Sequence, residues 1–396
     1  MLSNGRHYLA IPGPSVMPDR VLNAMHRAAP NIYVGELQDM TRGLVPDLKA
    51  VARTAGHLAL YIGNGHAAWE ASLANVLSRG DTVLVLATGG FCVGWGVMAA
   101  GLGARVETID FGKSHDIDPD QVEKVLAADR DGRIKAVLAV HVDTSTSVRN
   151  DIPALRQAID RAGHPALLMV DCIASLGCDR FEMDAWGVDV MVAASQKGLM
   201  VPPGMCFVWF NDKADRARER ADCVTTYWNW RPRANPDEYW QYFDGTAPTH
   251  HIFGLRAALD MIAEEGIENV WARHEALARA IWAAFDVWGQ EGPLRLNIGD
   301  PAKRSWAVTS AVIGSPDGDR LRQWTEHAAG LTLGIGLGRQ PADGFFRIGH
   351  MGHVNAQMIL GALGTIDAGL KALDIPHGRG ALDAAAASIA GAKKTV

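Results

Sequence analysis

The sequence predicts an α/β protein, with a mainly parallel seven-stranded sheet in a large domain followed by a smaller α+β domain. Three observations carry that reading. Short apolar runs alternate with amphipathic stretches through the first half of the chain. The runs are rich in Val, Leu and Ala, as strands covered on both faces require. Near residue 250 the texture changes to a long helical pattern and then to short strands, the mark of an α+β unit.

In chain order, the strand-like runs are Leu58–Ile62, Thr82–Ala87, Arg105–Ile109, Ala136–His141, Ala166–Asp171, Val190–Ala194 and Met205–Phe210. Amphipathic stretches at Ala67–Leu77, Gly94–Ala100, Pro119–Ala127 and Pro153–Ala162 separate most of them. Ile252 to Ala284 reads as one long helical pattern, with Phe253, Leu255, Leu259 and Ile262 at helical spacing. Short strands at Trp306–Ile313 and Phe345–Ile348 follow, and the Ala-rich end from Ala381 reads as a last helix with a frayed tail.

Composition narrows the function. With 48% hydrophobic and 21% charged residues the chain can bury a sizeable core. A net charge of −6 without a long basic run argues against nucleic acid as a partner. The sign-alternating run Asp215–Asp222 reads as a solvated helix face. No apolar run reaches the roughly 18 residues of a membrane span, and MLSNGRHYLA lacks the apolar core of a signal peptide. A cytoplasmic protein with no membrane partner is expected. Five cysteines, odd in number and without CxxC spacing, read as small buried hydrophobes, and no metal site is expected.

In an open parallel sheet the ligand site lies beyond the carboxyl ends of the strands, so the residues following each strand matter most. After the first comes Gly63-Asn64-Gly65-His66, a glycine-rich turn opening a helix. Such a turn offers free N–H groups and a positive dipole end to a phosphate, although a plain turn fits as well. Gly63, Gly65 and Ala68 also satisfy a loose dinucleotide pattern, but the next strand ends in Thr88-Gly89-Gly90-Phe91, without the acid that would hold a ribose. Asp171 ends the apolar run Leu167–Val170, where a carboxylate is costly unless paired. It either caps a turn or meets a protonated ring nitrogen, as pyridoxal phosphate (PLP) demands. The chain has ten lysines against twenty-eight arginines, and Lys197 alone stands between an apolar strand and a Pro/Gly turn. A lysine so placed can act as a nucleophile with a lowered pKa. Phosphate turn, carboxylate and lysine, each after its own strand, form the order found in fold-type-I PLP enzymes.

With these residues the chain resembles the class V aminotransferases, in the branch that uses alanine, serine or aspartate with glyoxylate. The motifs are SQKG and PPG (Ser195–Gly198, Pro202–Gly204) and VDCIASLG (Val170–Gly177). NGH (Asn64–His66), HVDTSTS (His141–Ser147), GIENVWARH (Gly266–His274) and RIGHMG (Arg347–Gly352) support them. The resemblance runs from Ile11-Pro12-Gly13-Pro14 to the second domain and implies the PLP-dependent transferase fold of type I. It divides the chain into an N-terminal segment (1–20) packing with the small domain and partner subunit, a large PLP-binding domain (21–255) and a small C-terminal domain (256–396).

The roles that the resemblance implies are specific. Lys197 would form the internal aldimine and shuttle the proton, while Asp171 would pair with the pyridinium nitrogen. Gly65 and His66 would hold the phosphate, Gln196 would add a hydrogen bond, and Ser145 would approach the cofactor. Thr246 would reach the phosphate from the neighbouring subunit, implying a homodimer with interface active sites and leaving a higher oligomer open. Arg347 would clamp the substrate carboxylate, with Ser15 and Tyr33 completing the substrate site. Phe91 replaces a stacking tryptophan, and Phe243, beside Tyr242, replaces a tyrosine of some relatives. His250-His251 is read as a helix-start pair near the dimer interface, and Gly334–Gly338 as a loop at the substrate mouth.

The expected reaction is ping-pong transfer of an amino group from a small L-amino acid to glyoxylate. A dicarboxylate donor needs a second cation, with Arg231, Arg233, Arg42 and Arg339 as candidates. The aromatic-basic stretch Tyr227–Arg233 tilts the donor toward aspartate, with serine and alanine kept. Pyridoxamine–pyruvate or aminoethylphosphonate transamination is the alternative within the family. A nucleotide-linked oxidoreductase built on Gly63–Ala68 is the alternative outside it.

Overall fold

The computed structural model describes residues 2–392. A short strand, β1 (Tyr8–Ala10), and two helices, α1 (Asp19–Met25) and α2 (Glu36–Ala52), lead into β2 (His57–Gly63). Strict alternation follows: α3 (Gly65–Val76), β3 (Thr82–Ala87), α4 (Gly90–Gly101), β4 (Arg105–Asp110), α5 (Pro119–Ala128), β5 (Ile134–Val140), α6 (Ile152–Arg161) and β6 (Leu167–Asp171). The strands β7 (Val190–Ala194) and β8 (Gly204–Phe210) and the helices α7 (Asp212–Arg218) and α8 (Trp230–Ala234) complete this part.

The seven large-domain strands form one sheet in the order β2-β8-β7-β6-β5-β3-β4. Only β8 runs against its neighbours. Successive side chains on a strand serve opposite faces: Val83 and Val85 join the core under α3 and α4, while Leu84 and Leu86 join the one on the other face. Burial on both faces is why these strands read as continuous apolar runs. β4 instead ends the sheet with exposed Arg105 at its start, a charged and therefore protected edge. Helix starts are marked locally. Asn64 accepts from the N–H of His66 and Ala67, and Asp118, followed by Pro119, accepts from Asp120.

The long helical pattern is two helices, α9 (Thr249–Glu265) and α10 (Ile267–Trp288). They part at Gly266, whose φ of 81° lies in the left-handed region that a glycine adopts without strain. Apolar periodicity continues across the break because each helix needs its own buried face. Ile252 to Ile262 on α9 pack in the large-domain core, whereas Leu277 to Trp288 on α10 pack in that of the small domain.

The small domain adds β9 (Arg295–Leu296), β10 (Val308–Val312), α11 (Asp317–Ala329), β11 (Leu331–Ile335), β12 (Phe345–Gly349), α12 (Ala356–Ala372) and α13 (Ala381–Ala390). Its sheet has the order β1-β11-β12-β10-β9, so the N-terminal segment supplies an edge strand, paired parallel to β11. The expected strand from Trp306 begins two residues later, at Val308. Gly334 and Ile335, expected in a loop, belong to β11, where a Cβ on Gly334 would meet Pro12 and Arg347. Four of the five cysteines are buried and Cys223 is partly exposed. Among the described residues no helix is long and apolar enough to cross a membrane.

The aromatic-basic stretch closes one side of the large domain. Trp230 stacks on Phe210 with ring centroids 4.0 Å apart at 8°, and its Nε1–H donates to Asp215 at 2.9 Å. Trp230→Ala removes a fully buried indole and is expected to cost about 3–5 kcal/mol. A lowered urea midpoint at unchanged m-value checks this.

Candidate active site

A crevice lies at the carboxyl ends of the large-sheet strands, lined by residues that follow β2, β6 and β7. β3 has β4 on one side and β5 on the other, so the chain leaves these strands in opposite directions at a topological switch point. The crevice floor is hydrogen-bonded. Phe91 N–H donates to Asp143 Oδ2 at 3.0 Å, Gly90 N–H to Ser145 Oγ at 3.0 Å, and Ser145 Oγ–H to Asp143 Oδ1 at 2.5 Å. A Cβ on Gly89 would run into the Asp143 carboxylate.

Two cavities open from this floor and share Gly13, Phe91, Thr144 and Lys197. The inner one, about 280 Å³, is lined by Gly65, His66, Trp69, Asp171 and Gln196 among others. The outer one, about 320 Å³, lies against the small-domain strands and Arg347.

Lys197 stands where they meet. Its Nζ donates to the Pro12 carbonyl, and burial, reinforced by the Arg347 charge, lowers its pKa to about 8. The Lys197 side chain passes so close to Gly13, whose φ is 107°, that a Cβ there would overlap its outer carbons and amine. Asp171, at the end of β6, accepts from Trp69 Nε1–H at 2.8 Å and from Ile173 N–H at 2.6 Å. Burial pushes its carboxyl up to about 7 against those two donors. Trp69 comes from the second turn of α3 and packs edge-on to His66 and Phe91.

Arg347, on β12, reaches across the domain boundary. Its Nε–H donates to Ile335 O at 2.7 Å and Nη1–H to Thr144 O at 2.9 Å, leaving Nη2 without a partner among the described residues. Gln196 lines the inner cavity, and its Oε1 is buried without a hydrogen-bond partner.

The structure thus brings together Gly65, His66, Phe91, Asp171, Gln196, Lys197 and Arg347. It places other expected site residues elsewhere. Ser145 is buried against Asp143 and lines neither cavity; its neighbour Thr144 lines both. Ser15 holds the lysine loop rather than the substrate space, with Oγ–H donating to Lys197 O at 2.7 Å. Tyr33 is 80% exposed and lines neither cavity. Thr246, expected to serve the neighbouring subunit, is exposed outside both cavities of its own chain. Phe243 is buried in the large-domain core.

The four arginines proposed for a second carboxylate line neither cavity. Arg231 pairs with Asp215 at 2.9 Å, so this acid run is tied down in part rather than wholly solvated. Arg233 is buried and donates to the Tyr227, Leu60 and Tyr242 carbonyls. Arg42, beside Asp39, lines neither cavity, and Arg339 donates to Asn297 Oδ1 and Lys113 O. His250 and His251, in the first turn of α9, bond to the Arg27 and Pro203 carbonyls.

Trp69, Asp143 and Thr144 are the residues that sequence reasoning missed. Trp69 lies one helical turn beyond the glycine turn, on the face carrying Gly65, a spacing that could have indicated it. The loop conformation that turns Thr144 outward left no such trace.

A doubly wound sheet with a buried lysine and carboxylate facing one cavity defines a fold-type-I PLP enzyme. Residues 61–316 match the family described as aminotransferase class-V, and the chain belongs to that family. It is 38% identical over 383 residues to a serine–glyoxylate aminotransferase of Methylorubrum extorquens, covering 93% of each chain. It is 36% identical to an L-aspartate–glyoxylate aminotransferase of Paracoccus denitrificans, covering 92% of this chain and 91% of that one. The crystal structure of an alanine–glyoxylate aminotransferase from Nostoc sp. superposes with a TM-score of 0.83 at 27% identity, covering 92% and 96%. The protein is an aminotransferase and its cofactor is PLP. The residues present fit that group: a buried carboxylate for a ring nitrogen and a lysine with lowered pKa face one cavity, whose wall also carries the glycine turn at the start of α3.

Trp69→Phe keeps the ring and removes the N–H that supports Asp171. A charge-assisted buried bond of this kind is worth about 1.5–3 kcal/mol, so PLP affinity is expected to fall about tenfold or more with an unchanged circular dichroism spectrum. Absorbance titration of the cofactor-free protein checks this. Only the neutral Lys197 amine is nucleophilic, and it is the form present above its pKa of about 8. The rate of PLP incorporation into cofactor-free protein is therefore expected to rise through pH 8 and level off above it, as stopped-flow absorbance would record.

Proposed function

We propose that the enzyme transfers the amino group of a small L-amino acid to glyoxylate, yielding glycine and an oxo acid, with aspartate as the favoured donor. The observation that carries the reading is Lys197 at the junction of two cavities, one fitted to PLP and the other leading to Arg347. Relatives named for serine–glyoxylate and aspartate–glyoxylate transfer support the acceptor and leave the donor to this chain's own residues.

PLP supplies an electron sink for the pair of electrons left when the substrate Cα loses its proton. In this reading Asp171 holds the ring nitrogen protonated, oriented by Trp69 and Ile173. Gly65, His66 and Gln196 hold the phosphate at the start of α3, and Phe91 packs against the ring. Arg347 binds the α-carboxylate, its free Nη2 completing the planar fork. Lys197 Nζ removes the Cα proton in the first half-reaction and handles it in reverse in the second. Burial suits it to this work, because an amine with a pKa near neutrality both takes and returns a proton. Thr144, with its carbonyl on Arg347, fixes the distance between carboxylate clamp and cofactor space.

The assembly in this reading is a homodimer. Thr246 is exposed beyond both cavities of its own chain, and Tyr33 and Val34 form an exposed apolar pair just before α2. Both features are accounted for when they face a second copy, with Thr246 reaching the partner's phosphate.

Single-turnover absorbance tests the donor. Aspartate is expected to bleach the visible band of the loaded enzyme faster than serine or alanine, and glyoxylate to restore it. Faster bleaching by serine or alanine would reject aspartate, and no bleaching by any of the three would reject the reaction.

A further inference from the structure

The outer cavity carries a second guanidinium. Arg322, on α11, lines it together with Arg347 and Lys197. Its side chain is 18% exposed, its Nη1–H donates to Asp319 at 2.5 Å and its Nε–H reaches Leu333 O at 3.4 Å. Its Nη2 has no partner among the described residues. Asp319 does not line the cavity and is 46% exposed, and no other carboxylate lines it.

Like charges facing one small cavity repel, and a chain does not gain stability from that arrangement. Burial lowers the Arg347 pKa to about 10, the Asp143 carboxylate opposes that shift, and the Arg322 charge adds to it. The arrangement is relieved by an anion carrying two negative groups, since an unpaired buried charge is costly and a paired one is not. A monocarboxylate donor occupies Arg347 and leaves Arg322 as it was. A dicarboxylate donor engages both, with its amino group turned toward Lys197. Asp319, half in water and outside the cavity lining, can share Arg322 at little cost, because exposed pairs are weak.

We infer that Arg322 is the residue that reads the side-chain carboxylate of a dicarboxylic amino donor, facing Arg347 across the outer cavity. The inference rests on the transaminase reading above and replaces the four arginines that the fold places elsewhere. It makes donor choice a property of α11, an element outside the cofactor-binding domain.

The experiment compares wild type, Arg322→Gln and Arg322→Lys in two measurements. In the first, the ratio of kcat/KM for aspartate over alanine is expected to fall at least tenfold in R322Q, chiefly through the aspartate KM, and to recover in part in R322K. In the second, calorimetric binding of succinate, which has two carboxylates and no amino group, is expected to weaken at least tenfold in R322Q. An unchanged ratio, or equal losses for both donors, would overturn the assignment and leave Arg322 as a partner of Asp319. A wild-type protein that converts no amino acid with glyoxylate would reject the transaminase reading instead. In that case the succinate measurement still decides Arg322, since weaker binding in R322Q upholds the dicarboxylate site and unchanged binding removes it.

Discussion

Keeping an amine and a carboxylate out of water at the carboxyl edge of one sheet is the constraint around which this protein is arranged. Lys197 and Asp171 are both buried, and burial drives each toward its neutral form. Neither tendency is cancelled by placing the two in contact. Separate groups support each one: Trp69 and the Ile173 amide face Asp171, and the Pro12 carbonyl faces Lys197. Both residues thus stay close to the point where a small change in surroundings alters their protonation, which suits acid–base chemistry near neutral pH.

That constraint gives a three-residue strand unusual importance. β1 pairs with β11 in the small-domain sheet, and the chain leaving it crosses to the large domain, where Pro12 meets Lys197 and Ser15 holds the lysine's own carbonyl. Arg347 bridges the same boundary from β12 to Thr144. Behind the lysine loop, Gly352 N–H donates to His274 Nε2 at 3.1 Å, and Arg273 donates to the Gly352 and Val354 carbonyls. The position of the small domain is therefore coupled to the lysine at several points, and displacement of one domain relative to the other would be felt at the reacting amine.

Aromatic side chains divide their work in this site. Phe91 supplies a ring at the cavity wall without a polar edge, and the neighbouring Trp69 supplies the indole N–H to Asp171. Aromatic wall and hydrogen-bond donor, which one indole can combine, come here from two residues on different helices. The aromatic-basic stretch 227–233 serves another purpose. Its arginines are charges consumed by packing: Arg233 lies over the Tyr61 and Tyr227 rings, and Arg231 is held by Asp215.

The large sheet was legible because strands covered on both faces must be apolar along their whole length, and a glycine turn, a carboxylate and a lysine at strand ends mark chemistry by their contrast with such runs. Asp171, Lys197 and Gly65 were found in this way, whereas Arg347, in the middle of β12, was found only through the RIGHMG motif. What was not legible depends on contacts between distant segments. β1 is too short to carry a periodic signal and exists because β11 offers it an edge. Gly266 divides a continuous apolar pattern because two faces are buried in two different cores. The outward turn of Thr144 in place of Ser145, and of Ser15 toward backbone, is set by loop hydrogen bonds that leave no spacing in the sequence. A count of arginines likewise says nothing about which ones are free, since partners such as Asp215 or the Tyr227 carbonyl are chosen only on folding. The sequence by itself determined the sheet, the family and the reacting groups, because burial patterns and strand-end residues are local properties. The tertiary structure alone decided which charges line the cavities, because a side chain's place there depends on segments that only the fold brings together.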